Sequence, residues 1–316
     1  MASPRYGPAD ATRAPRYTGL RTFARCPHVR DVEGVDVAVV GVPFDTATSF
    51  RSGARFGPEG IRAGSLLLRP YHPPLRLDVF AAQSVVDWGD LEITPGNAAK
   101  TADQIAAGLA PLVAAGITPI VLGGDHSIVL GELRAHAERH GPLGLVLLDA
   151  HADVWDAYYG ERLFHGTPFR RAVEEGLLAP ERSLLAGMRG PLYGEEDMDA
   201  AAQLGFEVIV GDELRALSPG DYGRRVREKV GSGPAYLSFD IDVLDPAFAP
   251  ATGTPEVAGL LPHEALAFVR ALAGMSFAGF DLVEVSPPYD GPGQVTALVA
   301  ANVAYEFLAL TALGRG

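Results

Sequence analysis

Three stretches of this chain end an apolar run in acids and histidines. VLGGDHS (121–127) reaches His126, LVLLDAHAD (145–153) offers Asp149, His151 and Asp153, and YLSFDIDVLDP (236–246) offers Asp240 and Asp242. A single carboxylate at a strand end reads most simply as a helix N-cap. Four carboxylates beside two imidazoles do not, because unneutralised acids repel and their pKa values rise, whereas divalent cations remove the repulsion. Residues two apart in an extended strand project to the same side, so Asp149 with His151, and Asp240 with Asp242, can each address one cavity. Oxygen-rich ligation with imidazole and no thiolate suits Mn²⁺, with Co²⁺, Ni²⁺, Fe²⁺ and Zn²⁺ able to compete. Six ligand residues exceed the needs of one ion. With shared carboxylates they fit two, roughly 3.5 to 4 Å apart, an arrangement that activates a water as nucleophile.

The elements that must hold these residues follow from periodicity. After Val35 the chain alternates short β-branched runs with alanine-, leucine- and charge-rich stretches, the pattern of an α/β domain with a parallel sheet. Strands are expected at 35–42, 119–122, 143–148, 182–185, 207–210, 235–239 and 277–283, several apolar throughout as strands buried on both faces are. Helical spacing covers 100–115, 128–139, 195–204, 222–230, 262–273 and 295–310. No linker interrupts the chain beyond residue 35, so the expectation is an N-terminal arm, 1–34, and one catalytic domain, 35–316. In such a sheet ligands bind beyond the carboxyl ends of the strands, where the acid and histidine clusters fall.

Bulk properties agree with a folded soluble chain of 316 residues, 47% hydrophobic and 21% charged. A net charge of −13 and the lack of basic clusters argue against nucleic acid and anionic membranes as partners. Neither a signal peptide nor an uninterrupted apolar run of about 18 residues is apparent, and Cys26, the only cysteine, fits a reducing compartment. A cytoplasmic protein is expected.

The ordered motifs GGDHS, DAHAD, SFDIDVLDPAFAPATGTP and EVSP resemble the ureohydrolases, the family of arginase, agmatinase and proclavaminate amidinohydrolase, over residues 35 to 310. The resemblance implies a three-layer α/β/α fold with a mostly parallel central sheet, two Mn²⁺ ions per subunit, and a homotrimer or homohexamer. It implies that His126 and Asp153 hold one ion, His151 and Asp242 the other, and that Asp149 and Asp240 bridge them. It further implies a proton-shuttling role for His165 in FHGTPF and a guanidinium-gripping role for Glu284 in LVEVSP, the latter suited to paired hydrogen bonds with a planar cation. A phosphoesterase would want Arg or Lys at the strand ends, and a non-catalytic relative would most plausibly lack a ligand; all six ligands and Glu284 are present.

The substrate's far end is less determined. VWDAYYGERLFHG follows DAHAD where an arginase would carry a polar Asn/Thr/Ser-rich loop, so the agmatinase and guanidino-acid branch fits better than arginase. Trp155, Tyr158 and Tyr159 are candidates to line a slot for an aliphatic chain. Asp156 or Glu161 would meet the ammonium of agmatine, the leading substrate on family frequency. Arg162 would meet the carboxylate of 4-guanidinobutyrate or 3-guanidinopropionate, and proclavaminate amidinohydrolase activity is a further alternative. Asp125 is left outside the ligand set, and His28, His72 and His263 receive no role. His136 and His140, four apart, read as a solvated helix face.

Overall fold

The computed structural model describes residues 4–315. Among the described residues ten strands form: β1 (Val37–Val42), β2 (Tyr71–His72), β3 (Leu77–Asp78), β4 (Val85–Asp90), β5 (Thr118–Gly123), β6 (Gly144–Leu148), β7 (Leu184–Met188), β8 (Glu207–Val210), β9 (Ala235–Asp240) and β10 (Phe277–Val283). The described residues also form nine α-helices: α1 (Gly57–Ser65), α2 (Ala98–Ala114), α3 (Val129–His140), α4 (Pro168–Glu174), α5 (Glu195–Gln203), α6 (Gly211–Ala216), α7 (Pro219–Val230), α8 (Pro262–Arg270) and α9 (Val295–Leu313). Eight strands build one sheet in the order β4-β1-β5-β10-β9-β6-β7-β8, every neighbouring pair parallel, while β2 and β3 form a separate hairpin.

Strand periodicity divides the apolar residues between two cores. In β1, Val37 and Val39 face one core and Ala38, Val40 and Val42 the other; in β6, Val146 and Leu148 face the first while Leu145 and Leu147 face the opposite side. Ile61 of α1, Val226 of α7, Phe268 of α8 and Phe307 of α9 cover the first face. Ile105 and Leu109 of α2, Leu133 of α3 and Phe169 of α4 cover the other, which makes the three layers expected.

All seven strands and six helices expected from periodicity occur, with ends shifted by a few residues. The sequence reading missed α1, α4, α6, the β2–β3 hairpin and the edge strand β4. The polar positions of β4 mask its pattern: Asp87 and Asp90 are there to receive Arg62 of α1, at 2.8 Å and 2.6 Å. The N-terminal segment lies on this edge. Phe23 and Cys26 are buried in the first core, and the Phe23 amide donates to Asp87 at 2.7 Å. Helix α9 does have the length and mean hydropathy, 1.5, of a membrane span, but 72% of its most apolar stretch is buried and it carries Glu306, so it is a core helix. His136 corrects another expectation: it is fully buried against Tyr236, and only His140 of that pair is exposed.

Candidate metal centre and active site

The chain runs from β5 to β6 without pairing them; β10 and β9 later fill the space between. A ligand crevice belongs at such a switch in strand order. His126 follows β5, Asp149 follows β6, Asp240 ends β9 and Glu284 follows β10, so four adjacent strands deliver their polar ends to one place. Asp125 initiates the turn after β5, accepting from Ser127 N at 3.0 Å and from Ala47 N at 2.9 Å, which aims His126 inward. Asp153 (φ 50°) and Glu284 (φ 62°) hold left-handed backbone conformations, which cost free energy for residues with a Cβ and cluster where side-chain aim matters.

His126 Nδ1 stands 3.1 Å from Asp149 Oδ2, 2.9 Å from Asp153 Oδ2 and 3.4 Å from Asp240 Oδ2. His151 Nδ1 stands 3.0 Å from Asp242 Oδ2 and 3.6 Å from Asp149 Oδ1. Two groups with metal-ligating geometry result, His126–Asp149–Asp153 and Asp149–His151–Asp242. Asp149 belongs to both, as a bridging carboxylate should; Asp240 approaches the first through His126. Spacings near 3 Å are those of ligands about 2.1 Å from a shared octahedral ion. His126 Nδ1, Asp149 Oδ2 and Asp242 Oδ2 are buried without a hydrogen-bond partner among the described residues, a costly arrangement that metal coordination would relieve. The electrostatics agree. Burial and neighbouring carboxylates raise the pKa values of Asp153 and Asp240, and burial raises that of Asp242. Burial also opposes ionisation of Asp149, but His126 and His151 on either side hold it below the usual range.

His165 and Glu284 are brought together. Glu284 Oε1 lies 3.0 Å from His165 Nδ1 and accepts from His126 N at 2.9 Å, while Oε2 is buried and unpartnered among the described residues. On the other side of the ring, Nε2 accepts from Ser49 N at 3.0 Å and lies 2.7 Å from Ser49 Oγ. Burial lowers the His165 pKa, but the Glu284 hydrogen bond and charge, with the fields of Asp153 and Asp125, more than reverse this. Ser49 is a site residue that sequence reasoning missed; it sits in a loop far along the chain from His165 and belongs to no recognisable motif.

A cavity of about 910 Å³ opens over the cluster, with His151, Asp153, Asp240 and His165 in its wall. Of the aromatic candidates, Trp155 and Tyr158 line it, stacked at 5.0 Å, whereas Tyr159 is 74% exposed and packs outside. The Tyr158 hydroxyl meets Tyr193 OH at 2.8 Å, adding a wall residue that the sequence did not announce. None of the three charges expected at the substrate tail lines the cavity. Arg162 turns to Glu174 at 2.7 Å, Asp156 accepts from Arg171 at 2.7 Å, and Glu161 is exposed. Arg162 is therefore a correction: its guanidinium is held by an acid of α4. The cavity's cations are Arg51 and Arg189. Arg189 is occupied by the carbonyls of Asp242, Glu256 and Val257 at 2.7, 2.8 and 3.0 Å. Arg51 lies over the rings of Phe50 and Tyr289 and forms no salt bridge among the described residues.

Comparison with known proteins agrees with this geometry. Guanidinobutyrase of Pseudomonas aeruginosa is 45% identical over 304 residues, 95% of each chain. Mitochondrial agmatinase of Gallus gallus is 45% identical over 301 residues, 95% of this chain and 88% of that one. The solved proclavaminate amidino hydrolase from Streptomyces clavuligerus is 42% identical, superposes with a TM-score of 0.91, and is matched over 95% of this chain and 100% of its own. The arginase family model matches residues 35–310, and this chain belongs to the arginase family.

Proposed function

We propose that this protein hydrolyses the guanidinium group of a linear guanidino compound to urea and an amine, at two Mn²⁺ ions held by His126, Asp149, His151, Asp153, Asp240 and Asp242. The observation carrying this reading is the convergence of two ligand groups on Asp149, with unpartnered buried atoms pointing inward. Bound there, two divalent ions would lower the pKa of a shared water toward neutrality and supply the nucleophile. The remaining work falls to the chain. Glu284 Oε2 is available to accept from the substrate's N–H groups, fixing the plane of the guanidinium. A C–O bond forms at the guanidinium carbon, the C–N bond to the tail breaks, and His165 protonates the leaving nitrogen. Trp155 and Tyr158 pack against the aliphatic chain. Assembly as a homotrimer or homohexamer is part of the same proposal.

For the tail, the cavity favours a carboxylate. Arg51 lines the wall unpaired, and the acids that would have received agmatine's ammonium, Asp156 and Glu161, lie outside it. The preferred substrate is a guanidino acid, with 4-guanidinobutyrate the reference compound. Agmatine is the second reading, supported by Glu256 and Asp197 in the same wall. Urea release from 4-guanidinobutyrate, 3-guanidinopropionate, agmatine and arginine by the Mn²⁺-loaded protein tests both. The guanidino acids should give the highest kcat/KM, and Arg51→Gln should lose about 10- to 100-fold on them, the value of a charged hydrogen bond of roughly 1.5–3 kcal/mol. Preference for agmatine, insensitive to Arg51→Gln and sensitive to Glu256→Gln, would establish the second reading. Urea from none of the four, or activity surviving metal removal, overturns the function.

A further inference from the structure

We propose that Ser238 and Asp281 form a relay that dictates which nitrogen of His126 is free to bind metal, and so controls occupancy of the His126–Asp149–Asp153 position. The inference deepens the metal-centre reading and rests on it. His126 Nε2 lies 2.9 Å from Ser238 Oγ, and the Ser238 hydroxyl donates to Asp281 Oδ1 at 2.7 Å. A serine hydroxyl has one hydrogen. Spent on Asp281, it leaves Ser238 only lone pairs to offer His126, so Nε2 must carry the imidazole proton. Nδ1, with acid oxygens 2.9 to 3.4 Å away, then keeps the bare lone pair that coordination requires.

Without the relay nothing would hold a proton on Nε2, while three carboxylates crowd Nδ1. Ser238 and Asp281 are cross-strand partners in β9 and β10, and both are fully buried in the sheet. Asp281 Oδ1 also accepts from Phe239 N at 3.3 Å. Burial raises the Asp281 carboxyl to about 6, opposed by His126, Ser238 and the Phe239 amide, so it is an acceptor at neutral pH. A serine and a carboxylate inside an apolar sheet cost stability that well-packed apolar residues of the same volume would recover. Their position directly behind a metal-facing histidine gives that cost a purpose: histidine ligands are oriented by the partner of their other nitrogen.

The discriminating variant is Asp281→Asn. It preserves shape, but its amide can donate to Ser238, turning the hydroxyl onto Nε2 and moving the imidazole proton to Nδ1. Metal content after dialysis, Mn²⁺ titration calorimetry and the metal-free Tm are measured for wild type, Asp281→Asn, Ser238→Ala and Ser238→Thr. Wild type should hold two ions. Asp281→Asn and Ser238→Ala should hold one ion tightly and the other about 10- to 100-fold more weakly. Ser238→Thr, which keeps the hydroxyl, should behave as wild type, and the metal-free Tm of Ser238→Ala should not fall. Two ions bound with unchanged affinity in Asp281→Asn overturn the relay, as does metal loss that merely tracks a lower metal-free Tm. Wild-type protein that binds no Mn²⁺ overturns the metal-centre reading and the relay with it.

Discussion

His136 shows how far one side chain can depart from what its neighbours in sequence suggest. Its spacing to His140 on α3 reads as a wet helix face, yet it is fully buried beside Tyr236, and neither ring nitrogen has a hydrogen-bond partner among the described residues. Only a glycine opposite leaves it room, since a Cβ on Gly279 would collide with the ring. Burial, with the nearby His140, lowers its pKa to about 3. The unfolded chain, with an ordinary histidine pKa near 6.5, binds the proton first as pH falls. Stability is therefore fully present above about pH 6.5 and is lost progressively as pH falls toward 3. At pH 5 the loss from this group is ~2 kcal/mol. His136→Leu removes the titrating group, so unfolding free energies from urea titrations at pH 8 and pH 5 should differ by ~2 kcal/mol less in the variant than in wild type. Equal pH sensitivity in the two proteins would show that His136 ionises as freely in the fold as in the unfolded chain.

At the scale of elements, the site depends on strand ends approaching more closely than side chains allow. Gly124 donates to Val42 O at 3.1 Å and accepts from Glu284 N at 2.9 Å, tying the ends of β1, β5 and β10 together. A Cβ there would overlap the Phe44 carbonyl and stand 2.8 Å from Val42 O. Gly124→Ala must spread these ends, displacing His126 and Glu284 together, at a cost of about 2–4 kcal/mol. The urea midpoint should fall and tightly bound Mn²⁺ should drop below two per chain; an unaltered midpoint with full metal content would mean that the turn yields without moving the site. The sequence made the buried strands plain, because β5, β6, β9 and β10 are nearly continuous apolar runs ending in acid or histidine. It made the six candidate ligands plain for the same reason, since each lies within five residues of a strand end. It concealed β4, whose Asp87 and Asp90 answer to Arg62, and it concealed Ser49, Arg51 and Tyr193, which reach the cavity from loops that carry no period. Charge at Asp156, Glu161 and Arg162 was visible, but its direction was not: salt bridges within and beside the loop, invisible in one dimension, turn Asp156 and Arg162 away.

For the molecule as a whole, charge is distributed unevenly along the chain. Residues 1–34 carry six Arg against three acids, a net +3, while the full chain carries −13, leaving −16 on the remainder. Part of this segment is built into the fold: Phe23 is buried, and the backbone of residues 5 and 6 bonds to Ser84. Ahead of Phe23 the same segment exposes Tyr17 (88%) and Leu20 (76%), and Leu67 (62%) and Tyr71 (54%) are exposed just beyond α1, the helix it packs against. A basic segment with exposed apolar residues, joined to an acidic body, is complementary to a second copy of itself, and closed rings form when such a head-to-tail contact repeats. Light scattering of the purified protein should give three or six times the 33.3 kDa chain mass. Because the attraction between unlike charges is screened within about 10 Å at 0.1 M salt, charge reversal at Arg13 and Arg21 should shift the population toward single chains, more so at low salt. Both arginines are exposed and lie ahead of the buried Phe23, so the reversal leaves the fold's core contacts in place. A wild-type mass of one chain would reject the assembly outright. An assembly indifferent to the reversal would place its interface elsewhere and leave the exposed apolar residues of this segment without a partner.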